Sequence, residues 1–293
     1  MTIIEIRDLT KNYGKAKAVD SLNLSINEGE FFGIIGPDGA GKTTVVRTLL
    51  GLISPTAGQV RVFEKDIVKQ KKEILRNVGY MPAKVSFYDN MKVGELISFS
   101  AKMRGKDCSD EAEKLCQRFS VNPKWRVDEL TLNGRKKAAI ICAFQHSPQL
   151  YILDEPVMGL DPSAQEKFFK MLRERHSEGA TILLATKVLS EVQKNCSRAA
   201  IMKEGRLAAV DDVKNMAESG ARRITLYGIS SVPELPGTES VEIAKNYVSL
   251  YYSGDLKELL RIAADLPIYD ISIEEQELDK LFMGCYEVNK EGV

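Results

Sequence analysis

Apolar and polar residues alternate along 2–7 (TIIEIR) and 19–26 (VDSLNLSI) with the period of half-buried strands, whereas 31–35 (FFGII) is apolar throughout, as in a strand covered on both faces. These segments predict a small antiparallel sheet ahead of a central buried strand. A glycine-rich loop over 36–41 follows, and TTVVRTLLGL continues with helical spacing to a glycine stop at Gly51. From Val93 to about residue 121 the pattern is helical and charged, with turn signals near Gly105 to Ser109 and around Pro123, which predicts a helical insertion. A further helix is expected up to Phe144. YILD (151–154) and TILLAT (181–186) read as buried strands, with helices expected from about 163 to 178 and over 188–195, and strands near 199–202 and 206–210. Strands alternating with helices imply a mainly parallel sheet covered by helices.

The texture changes past Gly220. ITLYGI, YVSLYY and IYDISI read as strands, with helices expected over 255–265 and near 275–286, so a small α+β domain is predicted over 218–293 behind a larger domain over 1–217. Within the larger domain the helical subdomain spans about 84–145.

Composition narrows the partners. The 293 residues carry 41 Lys+Arg and 41 Asp+Glu, so no overall field draws the chain to nucleic acid or anionic lipid. Five scattered cysteines without CxxC pairing argue against a zinc site or a disulfide framework and suit reduced thiols in the cytosol. The N-terminus has no apolar core of signal-peptide length, and no apolar run approaches the ~20 residues a spanning helix needs.

Residues 36–43, GPDGAGKT, fit the pattern GxxxxGK[ST] between a buried strand and a helix. In such a loop the glycines let backbone N–H groups close on phosphate oxygens, and the helix adds the positive end of its dipole. Gly36, Asp38, Gly39, Ala40, Gly41, Lys42, Thr43 and Thr44 are the candidate phosphate-binding residues, with Lys42 reaching the outer phosphates and the Thr43 hydroxyl ligating magnesium. An ordinary glycine-rich turn is the plain alternative. YILDEP (151–156) adds two carboxylates at a strand end, Asp154 to hold the magnesium through water and Glu155 to polarise an attacking water.

The order of GPDGAGKTT, LTLNGRKK, YILDEP and GLDP resembles the ATP-binding subunit of an ATP-binding-cassette (ABC) transporter, over residues 1 to about 215. The resemblance implies an α/β P-loop NTPase cassette: a mainly parallel sheet covered by helices, a small antiparallel β subdomain and a helical subdomain. The C-terminal α+β domain is similar to the short extension of exporter cassettes. The resemblance also implies ATP and Mg²⁺ as cofactors, a separate transmembrane permease, and a second ATP-binding subunit in a homodimer or heterodimer. Such a chain is cytoplasmic and peripheral on the inner face of the cell membrane, held there through the permease, with no nucleic-acid partner. Each ATP in that family is sandwiched between one subunit's phosphate loop and the other's signature turn. By position LTLNG (130–134) is that turn, with Thr131, Asn133 and Gly134 meeting the other subunit's ATP and Asp161 crossing the interface. Tyr13 stands where the family's aromatic stacks on adenine; a core or surface tyrosine is the alternative.

The resemblance has departures. Asn133 occupies the place of the glycine whose backbone comes closest to the phosphate, Ala83 replaces a glutamine after NVGYMP, and Lys187 replaces a histidine after TILLAT. Asp38 stands for an asparagine and Met158 for a small residue. Lys187 is a catalytic candidate as a cation for the γ-phosphate, or else a solvated lysine. The hydroxyl, lone glycine and three basic residues of 130–139 look like the start of an anion-binding turn. Together these features predict slow, nonzero hydrolysis by a subunit that powers export of an unspecified substrate. The alternative is a degenerate cassette that binds ATP and dimerises with little turnover, as a regulatory or heterodimer partner.

Overall fold

The computed structural model of the protein describes residues 1–87, 90–218, 222–231 and 235–274. β1 (Thr2–Tyr13) and β2 (Ala16–Asn27) form an antiparallel hairpin that turns at Gly14. β1 runs past the alternating stretch at 2–7: register shifts between Ile6 and Asn12 break the alternation of faces, while the pairing with β2 continues to Tyr13 and Ala16. β3 (Phe31–Ile35) is buried at every position. The loop 36–41 then delivers the chain into α1 (Lys42–Leu49).

β4 (Ala57–Val62), β5 (Lys65–Asp66) and α2 (Lys71–Arg76) follow, and the hydrophobic pattern does not mark them. In β4 only Val60 and Val62 are buried, and α2 buries Ile74 alone, too few apolar positions for a period to register. β1, β2, β4 and β5 make the small antiparallel sheet in the order β2-β1-β4-β5.

β6 (Val78–Met81) leads into the helical segment: α3 (Val93–Arg104), α4 (Ser109–Phe119) and α5 (Leu132–Phe144). The breaks fall where the sequence placed them, at Gly105 in a left-handed C-cap and around Pro123. Thr131 caps α5, its Oγ1 accepting from the Gly134 N–H at 3.2 Å, a contact worth about 1 kcal/mol. β7 (Leu150–Asp154), α6 (Pro162–Ser177), β8 (Thr181–Thr186), α7 (Leu189–Asn195), β9 (Arg198–Lys203) and β10 (Arg206–Asp212) complete the larger unit.

The six-stranded sheet has the order β10-β9-β3-β8-β7-β6, and β9, β3, β8, β7 and β6 pair in parallel. β7 and β8 are buried along their whole length, as a sheet covered on both faces requires. The inner face of the antiparallel sheet, α1 and the parallel sheet share one core, in which Ile4, Leu24, Val45, Val62, Ile152 and Leu183 are buried. Because β3, β7 and β8 run parallel, their carboxyl ends lie at a common edge, where open α/β sheets hold their ligands.

The chain divides into two compact units, Met1–Asp211 and Asp212–Val293. The described part of the second contains α8 (Val213–Glu218), β11 (Arg222–Tyr227), β12 (Thr238–Ile243), β13 (Tyr247–Tyr252), α9 (Leu256–Ala264) and β14 (Asp270–Glu274). Its antiparallel sheet, β12-β13-β11-β14, packs Ile224, Leu226, Val248 and Leu250 with Leu259 of α9. The helix expected near 275–286 lies outside the described residues.

Candidate functional site

Two glycines show how closely the loop is folded. A Cβ on Gly36 would stand 2.2 Å from the Met202 carbonyl oxygen, and one on Gly41, at φ 102°, 2.5 Å from that of Ala18. Neither position accepts a side chain without moving backbone. Lys42, buried at the start of α1, donates from Nζ to the carbonyls of Gly36 at 2.6 Å and Pro37 at 3.0 Å. The same Nζ lies 3.5 Å from Glu155 Oε1.

One residue on, the Thr43 hydroxyl donates to Asp154 Oδ1 at 3.1 Å across from the end of β7. A hydroxyl and a carboxylate held together in this way are the hard oxygen donors that a magnesium ion takes, so this pair fits that ion. Asp154 is almost fully buried, and burial raises its carboxyl above the ordinary range against the opposing pull of Thr43, Lys42, Arg47 and Lys136. Glu155 continues β7 through a hydrogen bond from its N–H to Ala185 O at 2.8 Å, yet its φ is 43°, a left-handed conformation for a non-glycine residue. Its Oε1 is buried without a hydrogen-bond partner among the described residues.

These groups border a cleft of about 500 Å³ formed by residues 38–44 with Ala18, Ala83, Lys84, Glu155, Met158 and Lys187. Lys187 stands at its mouth with Nζ 3.0 Å from Asp38 Oδ2. Each holds the other in its charged form: Lys187 keeps the Asp38 carboxyl below its ordinary range, and Asp38 raises Lys187. Both side chains are exposed, so the pair adds little to stability. Asp38 and Lys187, both named above as departures from the resemblance, thus meet as one ion pair. Tyr13 is not among the residues lining this cleft; it ends β1 at the hairpin tip, half exposed, with Lys11 Nζ 5.3 Å from its ring centre.

Thr131, Asn133, Gly134 and Asp161 form a separate cluster. The Asn133 amide exchanges two hydrogen bonds with Asp161, donating to Oδ2 at 2.6 Å and accepting from the backbone N–H at 3.3 Å. Lys137 Nζ also reaches Oδ2, at 2.9 Å, while Oδ1 caps α6 by accepting from the Ala164 N–H at 2.8 Å. Lys137, the Ala164 N–H and Asn133, in that order, hold the Asp161 carboxyl far below the usual carboxylate range.

The basic residues of the run 135–137 all have partners within the chain, Arg135 through its Nε to the Leu130 carbonyl at 3.4 Å. Lys137 is spent on Asp161, and Lys136 is buried, donating to the backbone carbonyls of Pro82 and Glu155 at 3.2 Å each. Burial pushes the Lys136 ammonium down to about 8, opposed by the nearby charges of Asp154 and Glu155. Lys136 and Lys84 are the residues that reasoning from sequence missed. The helical period of α5 lines position 136 up with the buried Ala139 and Ile140 and was the available signal; for Lys84, on an irregular loop, there was none.

Residues 19–158 match the family model described as "ABC transporter". The bacitracin transport ATP-binding protein BcrA of Bacillus licheniformis is 38% identical over 210 residues, 70% of this chain and 68% of that protein. The Nod factor export ATP-binding protein I of Paraburkholderia xenovorans is 33% identical over 211 residues, 70% of this chain and 69% of that protein. A solved structure titled as the ATP-binding subunit of an ABC transporter superposes with a TM-score of 0.69 at 26% identity, covering 73% of this chain and 91% of the other. The chain therefore belongs to the ATP-binding subunits of ABC transporters and is an ATP-binding ATPase whose activity is coupled to transport.

Proposed function

We propose that this subunit binds Mg²⁺·ATP in the cleft beside the 36–43 loop, hydrolyses it slowly, and docks on a separate transmembrane permease at the inner face of the cell membrane to power export. The observation that carries this reading is the convergence of Lys42, Thr43, Asp154 and Glu155 on one glycine-rich loop. BcrA is named for bacitracin transport and the Nod factor protein for export, which supports export and leaves the substrate of this chain to its permease. Among the described residues no helix is long and apolar enough to cross a membrane, in keeping with a subunit that needs such a partner. Residues 1–217 are assigned to ATP binding and 218–293 to an accessory domain.

The backbone N–H groups of the loop and the first turn of α1 bind the phosphates, and Lys42 neutralises the outer ones. Thr43 and Asp154 hold magnesium, which when bound balances the negative charge of the phosphate oxygens. Glu155 orients a water. As the water oxygen bonds to the γ-phosphorus, the bond to the β–γ bridging oxygen breaks, ADP leaves, and the water's proton passes to the Glu155 carboxylate. Lys187, beside the cleft, can exchange Asp38 for the γ-phosphate, and Tyr13, exposed at the hairpin tip, is assigned to stacking on the adenine. A second ATP-binding subunit, identical or related, presents Thr131, Asn133, Gly134 and Asp161 to close the site.

The substitutions at positions 83, 133 and 187 support low turnover, and the intact Glu155 supports turnover above zero. Co-purification of the chain from membranes, identification of every bound subunit and an ATPase assay of that assembly test the reading. Slow hydrolysis that falls at least ~100-fold in Glu155→Gln is expected. Unchanged turnover in that variant, or brisk turnover by the chain alone, contradicts it; binding without turnover in the assembly returns the regulatory reading.

A further inference from the structure

The first two turns of α5 face the chain's own catalytic segment. Leu132 packs on Gly159 so closely that a Cβ there would stand 2.8 Å from Leu132 Cδ2. Asn133 and Lys137, four residues apart on one helical face, share Asp161, and Lys136 holds the Glu155 carbonyl. We propose that this face of α5 is an intramolecular clamp on residues 155–161, in which Asn133 and Lys137 are positioning residues that fix Asp161 and, through the intervening turn, the placement of Glu155. The inference rests on the proposed role of Glu155 and adds to it a group of residues that sets its position.

The chemistry of the asparagine is specific. A side-chain amide donates to a carboxylate and accepts from a backbone N–H in one contact, and Asn133 does both with Asp161. Glycine at this position offers neither. Asp161 Oδ1 is committed to the Ala164 N–H, and Oδ2 receives two donors from α5, so the carboxylate is satisfied within its own chain. The substitution that weakens a phosphate-binding turn for a facing subunit is the one that ties α5 to the segment after β7.

The test is a swap. In the purified full-length chain, Asn133→Asp sets carboxylate against carboxylate, and hydrogen exchange at the Asp161 amide is expected to accelerate about tenfold or more. Asp161→Asn retains a cap for α6 but deprives Lys137 of its ion pair. The double variant N133D/D161N restores an amide–carboxylate pair and gives Lys137 an acidic partner four residues before it on its own helix; exchange then returns to near the parent value. In the permease assembly kcat for ATP falls in Asn133→Asp and recovers in the double variant. Lys137→Ala is the second probe, raising exchange over 158–161, while Lys137→Arg retains protection. Unchanged exchange in both Asn133→Asp and Lys137→Ala, or a double variant whose losses add, overturns the clamp. Recovery of exchange without recovery of kcat overturns the positioning role. A parent assembly with no ATPase at all would instead remove the proposed function, and exchange in the purified chain would still decide whether the clamp exists.

Discussion

Lys136 is the residue at which stability and activity pull apart. It is an ammonium within the buried layer of α5, satisfied by two carbonyls and held down to about 8 from an ordinary 10.5 by burial. Folding therefore penalises its charged form; the penalty is full below pH 8 and is relieved as pH rises from 8 to 10.5. Lys136→Met is expected to leave stability at pH 7 unchanged or to raise it by about 1–3 kcal/mol, with the difference from the parent shrinking across that window. Activity should move the other way, because the carbonyls of Glu155 and Pro82 lose their shared donor; thermal melts from pH 7 to 10 and ATPase assays on the same variant check both. At this scale the sequence was legible where chemistry is local: Lys42 and Thr43 share one loop. It was not legible where a side chain's partner is a distant backbone atom, as at Lys136, or where two departures compensate across the fold, as Asp38 and Lys187 do.

The elements carry two further expectations. His146, just past α5, is buried, and its Nε2 accepts from Arg104 Nε of α3 at 2.9 Å. Burial and the Arg104 charge lower it to about 3 from an ordinary 6.5. Its contribution to stability is complete above pH 6.5 and is lost as pH falls from 6.5 toward 3, at up to ~1.4 kcal/mol per pH unit. A flatter acid limb in His146→Gln, followed by denaturant unfolding at stepped pH, is the expected outcome. In the loop before α1, Gly39 and Gly41 both have positive φ, but a Cβ meets nothing at Gly39 and the Ala18 carbonyl at Gly41. Gly39→Ala should cost about 1–2 kcal/mol of backbone strain and retain nucleotide binding. Gly41→Ala should displace the loop and lose it; nucleotide titrations of the two variants separate them. Buried strands such as β3, β7 and β8 were readable because continuous apolar runs have few other uses. β4 was not, since pairing with β1 and β5 rather than its own periodicity holds it in place, and α2 was not, since it buries Ile74 alone.

For the whole molecule the balance of charge is as informative as the motif. A chain with 41 basic and 41 acidic residues has no global field, so its attraction for a nucleotide's phosphates comes from one loop, one lysine and one helix end at the carboxyl edge of a parallel sheet. That arrangement was legible because strand, loop and helix are contiguous in sequence. The grip of α5 on the segment after β7 was not, since it joins residues 28 positions apart through a side chain that the pattern marks only as a departure. Titration of Mg²⁺·ATP into the purified full-length chain, followed calorimetrically alongside Lys42→Ala, tests the account most directly. Saturable binding with Kd in the range of about 1 μM to 1 mM, weakened at least tenfold in Lys42→Ala, is the predicted result; no binding by the parent chain, or equal binding by both, would contradict it.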